Sequence, residues 1–189
     1  MINRDQYIQA YKDHYDKNGL SGSGVGLGDK PDILKRGGYN DTYSLLDYGC
    51  GWGAILQGIN PVDYIGVDIV PKAIEYAKNK FSNKRFEVLK IGQLKTEPMD
   101  FAIALSVFTH ALYSDVKDCL KDIHSNLKPN GKAIVDILEG KRNEDVHFRY
   151  WPKEEFVKEL TKAGFSVTGE YLYKAKNGFI HTYFFICKT

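Results

Sequence analysis

Cysteine is scarce in this chain. Cys50, Cys119 and Cys187 are the only three among 189 residues, and no two of them form a C-x-x-C pair. That excludes a disulfide framework and a cysteine-rich zinc site, and a reducing cytoplasm is the expected setting. Long apolar runs are missing too: no stretch reaches the roughly 18 residues needed to span a bilayer. Met1 to Lys12 carries Arg4, Asp5 and Lys12 among polar residues, unlike a secretory leader, so neither secretion nor membrane insertion is expected. No H-E-x-x-H or comparable spacing occurs among the five histidines, so no metal is expected. Charge of one sign is lacking as well. Lys and Arg number 26 against 24 Asp and Glu, a net +2, too little to draw the chain to nucleic acid or an anionic membrane by its overall field. There is no internal repeat.

What the chain does have is bulk. With 43% hydrophobic residues, including 13 Tyr, 10 Phe and 2 Trp, a mass of 21.5 kDa predicts one packed core. Glycine is unevenly spread: seven of the 18 fall between Gly19 and Gly38. Ile8, Tyr11 and Tyr15 recur at helical spacing, predicting a short amphipathic helix over Asp5 to Asp16 that serves as a lid or packing arm. The glycine-rich segment that follows reads as a loop with one helical turn near Asp32 to Arg36. Residues 1–42 are therefore expected to form an N-terminal cap and 43–189 the functional domain.

From Tyr43 onward, strand and helix signals alternate. Ser44 to Tyr48, Tyr64 to Val67, Phe86 to Leu89, Phe101 to Ser106 and Ala133 to Ile137 read as strands, and the unbroken apolarity of the fourth predicts cover on both faces. Between them, Ala54 to Gln57 starts a helix, Pro71 opens a second, and Ser114 caps a third with Val116, Leu120, Ile123 and Leu127 inward. Pro129-Asn130-Gly131 reads as a turn. A helix around Glu154 to Ala163 stops at Gly164. Val167 to Tyr173 and Phe179 to Cys187 flank Asn177-Gly178, a strong hairpin signal, so the sheet ends in an antiparallel pair.

The chemistry concentrates where the first strand turns. Asp47-Tyr48-Gly49-Cys50-Gly51-Trp52-Gly53 puts three glycines at alternate positions. Missing β-carbons let a ligand approach the backbone, and a following helix N-terminus offers free N–H groups. Asp68 ends the next strand, at the distance along the chain where a carboxylate meets a ribose diol in dinucleotide folds. Together these mark a site for an adenosine-type cofactor.

On these residues the chain resembles the class I S-adenosylmethionine-dependent methyltransferases, over Tyr43 to Cys187. Asp47 to Gly53 matches their first motif and Ile65-Gly66-Val67-Asp68-Ile69 their second. Ser106-Val107-Phe108-Thr109-His110 is similar to the segment after the fourth strand, and Leu127-Lys128-Pro129-Asn130-Gly131 to the turn before the fifth. The resemblance implies an α/β, Rossmann-like three-layer sandwich: a seven-stranded, mostly parallel sheet with an antiparallel last strand and helices on both faces. It implies S-adenosyl-L-methionine as cofactor, with Asp68 on the ribose hydroxyls and Asp47 near the methionine moiety. Gly49, Gly51, Gly53, Ile69, Ile91 and Ser106 complete the implied cofactor site. Members often carry an acidic residue after the third strand, facing the adenine amino group. Here Val88-Leu89-Lys90-Ile91-Gly92 has none, and Lys90 cannot accept a hydrogen bond. Backbone near Ile91, or packing alone, would then hold the ring.

Methyl transfer from a sulfonium is an in-line displacement governed by positioning, and an oxygen nucleophile gains from a base. His110, past the carboxyl end of the fourth strand, is the candidate catalytic residue, with His147 second. Arg149, Tyr150 and Trp151 are candidates for lining a substrate pocket or for anchoring the following helix, and His14 for closing over the site. His124 and His181 have no chemical neighbours in sequence. The expected acceptor is a small molecule methylated on oxygen or nitrogen, with protein and nucleic acid left open as substrates. Two alternatives remain. Gly49-x-Gly51-x-x-Ala54 also satisfies a tolerant dinucleotide fingerprint, so an NAD(P)-dependent oxidoreductase is one. A non-catalytic cofactor-binding subunit is the other.

Overall fold

Leu45 and Leu46 are neighbours on one short strand, so their side chains leave it on opposite faces. Both are fully buried, and they belong to different cores. The same division runs through Tyr64 and Ile65, Ala102 and Ile103, and Ile134 and Val135. A sheet covered on both sides follows, as a continuous apolar run demands.

The computed structural model describes residues 6, 8, 9, 13, 29–143, 148–175 and 178–189. In chain order the elements are α1 (Lys30–Arg36), β1 (Ser44–Tyr48), a single 3-10 turn (Ala54–Gln57), β2 (Asp63–Asp68), α2 (Pro71–Lys80), β3 (Arg85–Val88), β4 (Met99–Ala104), α3 (Val116–Ser125), β5 (Leu127–Glu139), β6 (Tyr150–Trp151), α4 (Lys153–Lys162), β7 (Phe165–Lys174) and β8 (Ile180–Lys188). The main sheet runs β3-β2-β1-β4-β5-β8-β7, and the two-residue β6 pairs with β5 beside it. Strands β1 to β5 are mutually parallel, whereas β8 is antiparallel to both β5 and β7. This is the expected architecture, seven strands with the last one reversed, plus the short β6. One core layer takes its helical contribution from α3 and α4 through Val116, Leu120, Ile123, Phe156 and Leu160. The other takes it from α1 and α2 through Ile33, Leu34, Ile74 and Ala77.

Four local expectations change. The helix expected from Ala54 is only a four-residue 3-10 turn, because Gly53 before it and Gly58 after it leave no room to propagate. Asp115, not Ser114, occupies the N-cap of α3. Pro129-Asn130-Gly131 lies within the long β5, with Asn130 at φ 59 and the register to β4 shifting there. The helical turn near Asp32 is a seven-residue helix, Lys30–Arg36, with Pro31 in its first turn. The N-terminal helix is represented only by residues 6, 8, 9 and 13, which are helical. Tyr11, His14, Tyr15 and the glycines from Gly19 to Gly28 lie outside the described residues, as do His147 and Asn177.

One buried side chain ties three parts of this frame together. Asp122 of α3 accepts hydrogen bonds from the Tyr48 hydroxyl at 3.0 Å, the Gly92 N–H at 2.7 Å and the Leu94 N–H at 3.1 Å. It thereby holds the loop after β3 and the end of β1 against α3. Asp122→Ala strands three largely buried donors, each costing about 1 kcal/mol or more. The expected loss is ~3 kcal/mol, or roughly 6–12 °C in Tm for a chain of this size. Thermal unfolding of the variant followed by circular dichroism checks it, with Asp122→Asn losing less because one acceptor oxygen stays.

Candidate active site

The strand order reverses between β1 and β4, and a cleft opens there at the carboxyl ends of the strands, where open α/β sheets bind ligands. It encloses about 1010 Å³ of empty space, its open mouth included. Its floor is Asp47, Tyr48, Gly49, Cys50 and Gly51 from the end of β1 and the turn after it. Asp68 and Ile69 come from the end of β2, Leu89 and Ile91 from after β3, and Leu105, Ser106 and Val107 from after β4. His110, Ala111, Asp115 and Cys119 close one side, and Lys30 at the start of α1 reaches in from the other core layer. Eight of the nine residues expected from sequence line this one cleft. Gly53 does not. Its φ is +76, and a β-carbon there would sit 3.1 Å from the Phe86 ring, so it serves the fold of the turn.

Gly49 shows why the motif needs glycine. Its φ is +79, and a β-carbon would come within 2.4 Å of the Val107 side chain, so any other residue would push the β1 and β4 ends apart. The turn uses its amides internally. The N–H groups of Gly49 and Cys50 donate to the Val67 carbonyl at 2.7 and 3.0 Å, and that of Gly53 to the Cys50 carbonyl at 2.9 Å. The Gly51 N–H donates to Asp68 Oδ2 at 2.8 Å, and Val70 N–H to Oδ1 at 2.9 Å. The free helix N-terminus expected from the sequence is therefore absent: four turn amides are spent, and a 3-10 turn stands where the helix would be. Outside the cleft, Lys80 Nζ lies 4.0 Å from the Trp52 ring centre, a cation–π contact that packs the turn onto α2.

The cleft holds buried carboxylates. Asp47 is 5% exposed and accepts the Tyr64 hydroxyl at 2.8 Å. Burial pushes its carboxyl up to about 6, against the opposing effects of the Tyr64 hydrogen bond and the Lys30 charge. Asp68 is raised as well, by burial, while its backbone hydrogen bonds pull the other way. The cleft thiols are inert. Burial raises Cys50 well above its usual range and Cys119 to about 12, so neither supplies a thiolate nucleophile at neutral pH.

At the end of β4, Ser106 adopts φ +63, a left-handed conformation costly for a residue with a β-carbon. Its N–H donates to Asp136, which is fully buried on β5, and the other Asp136 oxygen lies 2.9 Å from His181 Nδ1. The Thr109 hydroxyl donates to the Ser106 carbonyl at 2.8 Å, and Arg149 N–H to the Thr109 carbonyl at 2.8 Å. This network sets the turn that carries His110, whose ring centre is 5.4 Å from that of Phe148. Phe148 in turn meets Phe179 at 5.2 Å. Trp151 is a packing anchor, 1% exposed against Tyr113 and Phe156. His181 thus has a chemical neighbour after all, on a strand 45 residues away. Lys30, Asp115 and Cys119 had no motif to announce them; their place in the cleft follows from helix packing. Among the described residues no group of three or more His, Cys, Asp or Glu is placed to hold a metal ion, and no helix is long and apolar enough to cross a membrane.

The residues present suit an adenosine-type cofactor carrying positive charge. A carboxylate at the end of β2 can meet a ribose diol, and a second one beside it can meet a cation, with side-chain-free backbone between them. Comparison with known proteins agrees with this architecture. A ribosomal protein L11 methyltransferase from Paraburkholderia phymatum is 32% identical over 115 residues, which is 57% of this chain and 37% of that protein. The chain therefore matches little more than a third of that relative's length. The solved 1,6-didemethyltoxoflavin-N1-methyltransferase of Burkholderia thailandensis, holding S-adenosylhomocysteine, superposes with a TM-score of 0.77 at 18% identity, covering 100% of this chain and 92% of its own. The magnesium protoporphyrin IX methyltransferase of Synechocystis, with S-adenosylmethionine bound, gives 0.68 at 16% identity, covering 100% and 86%. The family model for the methyltransferase domain matches residues 40–175, and the chain belongs to that family.

Proposed function

We propose that the chain is an S-adenosylmethionine-dependent methyltransferase acting on an oxygen or nitrogen of a small acceptor. The observation that carries this is electrostatic. The cleft presents three buried carboxylates, Asp47, Asp68 and Asp115, while the amides of Gly49, Cys50, Gly51 and Gly53 are already bonded within the protein. A dinucleotide's pyrophosphate wants free amides at a helix N-terminus and is repelled by buried carboxylates. A cationic sulfonium amino acid wants the reverse. The same contrast disfavours an NAD(P)-dependent oxidoreductase.

Bound S-adenosylmethionine would supply an electrophilic methyl group on a sulfonium, leaving S-adenosylhomocysteine after transfer. The chain's own groups then have distinct tasks. Asp68 accepts from the ribose hydroxyls, held in place by the Gly51 and Val70 amides. Asp47 would meet the α-ammonium and Lys30 the α-carboxylate of the methionine end. Ser106, braced by Asp136, lines the path from cofactor to acceptor. His110 stands at the mouth and takes the proton that an O–H or N–H acceptor releases. Its ring against Phe148, with Phe179 behind, favours an acceptor with an apolar or aromatic body over a charged polymer. The relative that methylates ribosomal protein L11 matches over only 37% of its length, so its protein acceptor does not carry over.

Calorimetric titration is the first test. S-adenosylmethionine and S-adenosylhomocysteine should bind and NAD should not; binding of NAD alone would overturn the assignment. Asp47 adds a test with a definite sign. The folded carboxyl titrates at about 6 instead of 3.8, so the native state holds a proton that the unfolded chain gives up. The stability this group contributes is present in full below about pH 4 and lost as pH rises through about 6. Asp47→Asn should therefore be more stable than the parent by ~3 kcal/mol at pH 7.5, by about half that at pH 5, and by little at pH 4. Urea titrations of both proteins read this. In the same variant the affinity for S-adenosylhomocysteine should fall about tenfold at pH 7.5, in keeping with one lost charge-assisted hydrogen bond. Once an acceptor is in hand, His110→Ala should lower kcat by about 10² to 10⁴ with cofactor affinity unchanged. Unchanged turnover would remove His110 from the mechanism.

A further inference from the structure

We infer that His181, oriented by Asp136, anchors the methyl acceptor, and that this acceptor is an aromatic ring carrying an O–H or N–H donor for the imidazole. The sheet order sets the direction. The cleft takes its residues from the ends of β3, β2, β1 and β4, and the next strands across the sheet are β5, β8 and β7. An acceptor lying beyond Ser106 meets those strands. Because β8 runs antiparallel to β5, His181 near its start pairs with Leu138 near the end of β5. It therefore reaches the same edge as the cleft, although it comes late in the chain.

One carboxylate joins the two places. Asp136, fully buried, accepts the Ser106 amide on one oxygen and holds His181 Nδ1 at 2.9 Å with the other. A second link comes from α1. Lys30 lines the cleft, and Asp29 just before it acts on Tyr183, whose phenol is pushed up by burial first and then by Asp136, Tyr173 and Asp29. The Tyr183 ring lies nearly parallel to that of His181, with 6.1 Å between centres and 19° between planes, and the Tyr173 ring flanks His181 at 6.4 Å. The imidazole is thus fixed by a buried carboxylate and by tyrosine rings, yet its side chain keeps 18% exposure.

A carboxylate has only acceptor sites, so the Nδ1 facing Asp136 carries the proton. In the neutral ring Nε2, the nitrogen away from Asp136, is then a hydrogen-bond acceptor. A bound molecule meets it with a donor. Tyr173 and Tyr183 beside it offer ring faces and edges, which a flat aromatic body matches better than a flexible chain. The two histidines then have different tasks. His110 takes the proton released by the methylated atom, and His181 holds a second donor of the same ring, fixing how that ring is turned toward the cofactor.

This rests on the methyltransferase reading proposed above, and one experiment separates the two. Full-length protein with isotope-labelled histidine rings, saturated with S-adenosylhomocysteine, is titrated with catechol and with its dimethyl ether, the same ring without donors, and followed by nuclear magnetic resonance. His181→Phe and His181→Gln are treated alike, with circular dichroism as the check on folding. The parent should bind catechol more tightly than the ether by roughly three- to tenfold, the worth of one hydrogen bond, and catechol should move the His181 Nε2 signal. His181→Phe should bind the two equally. His181→Gln, which keeps an acceptor oxygen, should regain part of the preference, and both variants should keep the parent's affinity for S-adenosylhomocysteine. The parent's Nε2 signal needs no variant: catechol binding that leaves it unmoved overturns the inference. So does a parent that binds neither ring or both alike, or a preference that survives in His181→Phe. If His181→Phe instead loses affinity for S-adenosylhomocysteine, the pair only braces the Ser106 turn and His181 is no anchor. In each of these cases the methyltransferase reading stands. A folded parent that does not bind S-adenosylhomocysteine sinks that reading itself and takes the inference with it.

Discussion

Two-sided burial of the central strands is the constraint from which the rest follows. Leu45 and Leu46, or Ala102 and Ile103, leave no solvent-facing side on β1 and β4, so a polar side chain cannot be presented from the middle of either strand without stranding it in a core. Polar chemistry is driven to the strand ends. Asp47 stands one residue before the end of β1 and Asp68 at the last position of β2, and Asp136, further along β5, is fully buried but answered by the Ser106 amide and His181. Because β1 to β5 are parallel, all these ends lie on one edge. The reversal of order between β1 and β4 opens that edge into a single cleft.

The cleft keeps charge where folding alone would not. Asp47 destabilises the native state at neutral pH, since burial raises its carboxyl and neither Tyr64 nor Lys30 fully offsets it. Retaining a carboxylate there is understandable if a cation completes the site. The same reasoning separates Asp47 from Asp122. Asp122 meets three donors of the protein and is a structural tie, whereas Asp47 accepts from the Tyr64 hydroxyl and faces the Lys30 charge.

Much of this was legible from the chain. The strands of the parallel half, the hairpin at Gly178 and the cap at Gly164 each rest on local chemistry: apolar runs, turn residues and a left-handed glycine. Where local signals conflicted with packing, packing prevailed. Ala54 to Gln57 looks like the start of a helix, but the flanking glycines and the internally bonded turn amides hold it to one 3-10 turn. Pro129-Asn130-Gly131 looks like a turn, and within β5 it forms an irregularity: the pairing with β4 passes from Leu127 to Lys132, and Asn130 between them is left-handed at φ 59.

The sequence by itself determined the sheet class and the glycine motif, because both depend on residues near one another along the chain. It also determined the two carboxylates at the ends of β1 and β2, which follow directly from where those strands stop. Only the tertiary structure decided which remaining groups meet in the cleft. Lys30 arrives from a helix ahead of the sheet, Asp115 from a helix pinned by Asp122 to the loop after β3, and Asp136 reaches Ser106 from a neighbouring strand. Their spacing carries no pattern. Side chains brought together by helix packing and strand order are set by contacts between elements far apart in sequence, and no periodicity or motif encodes those contacts.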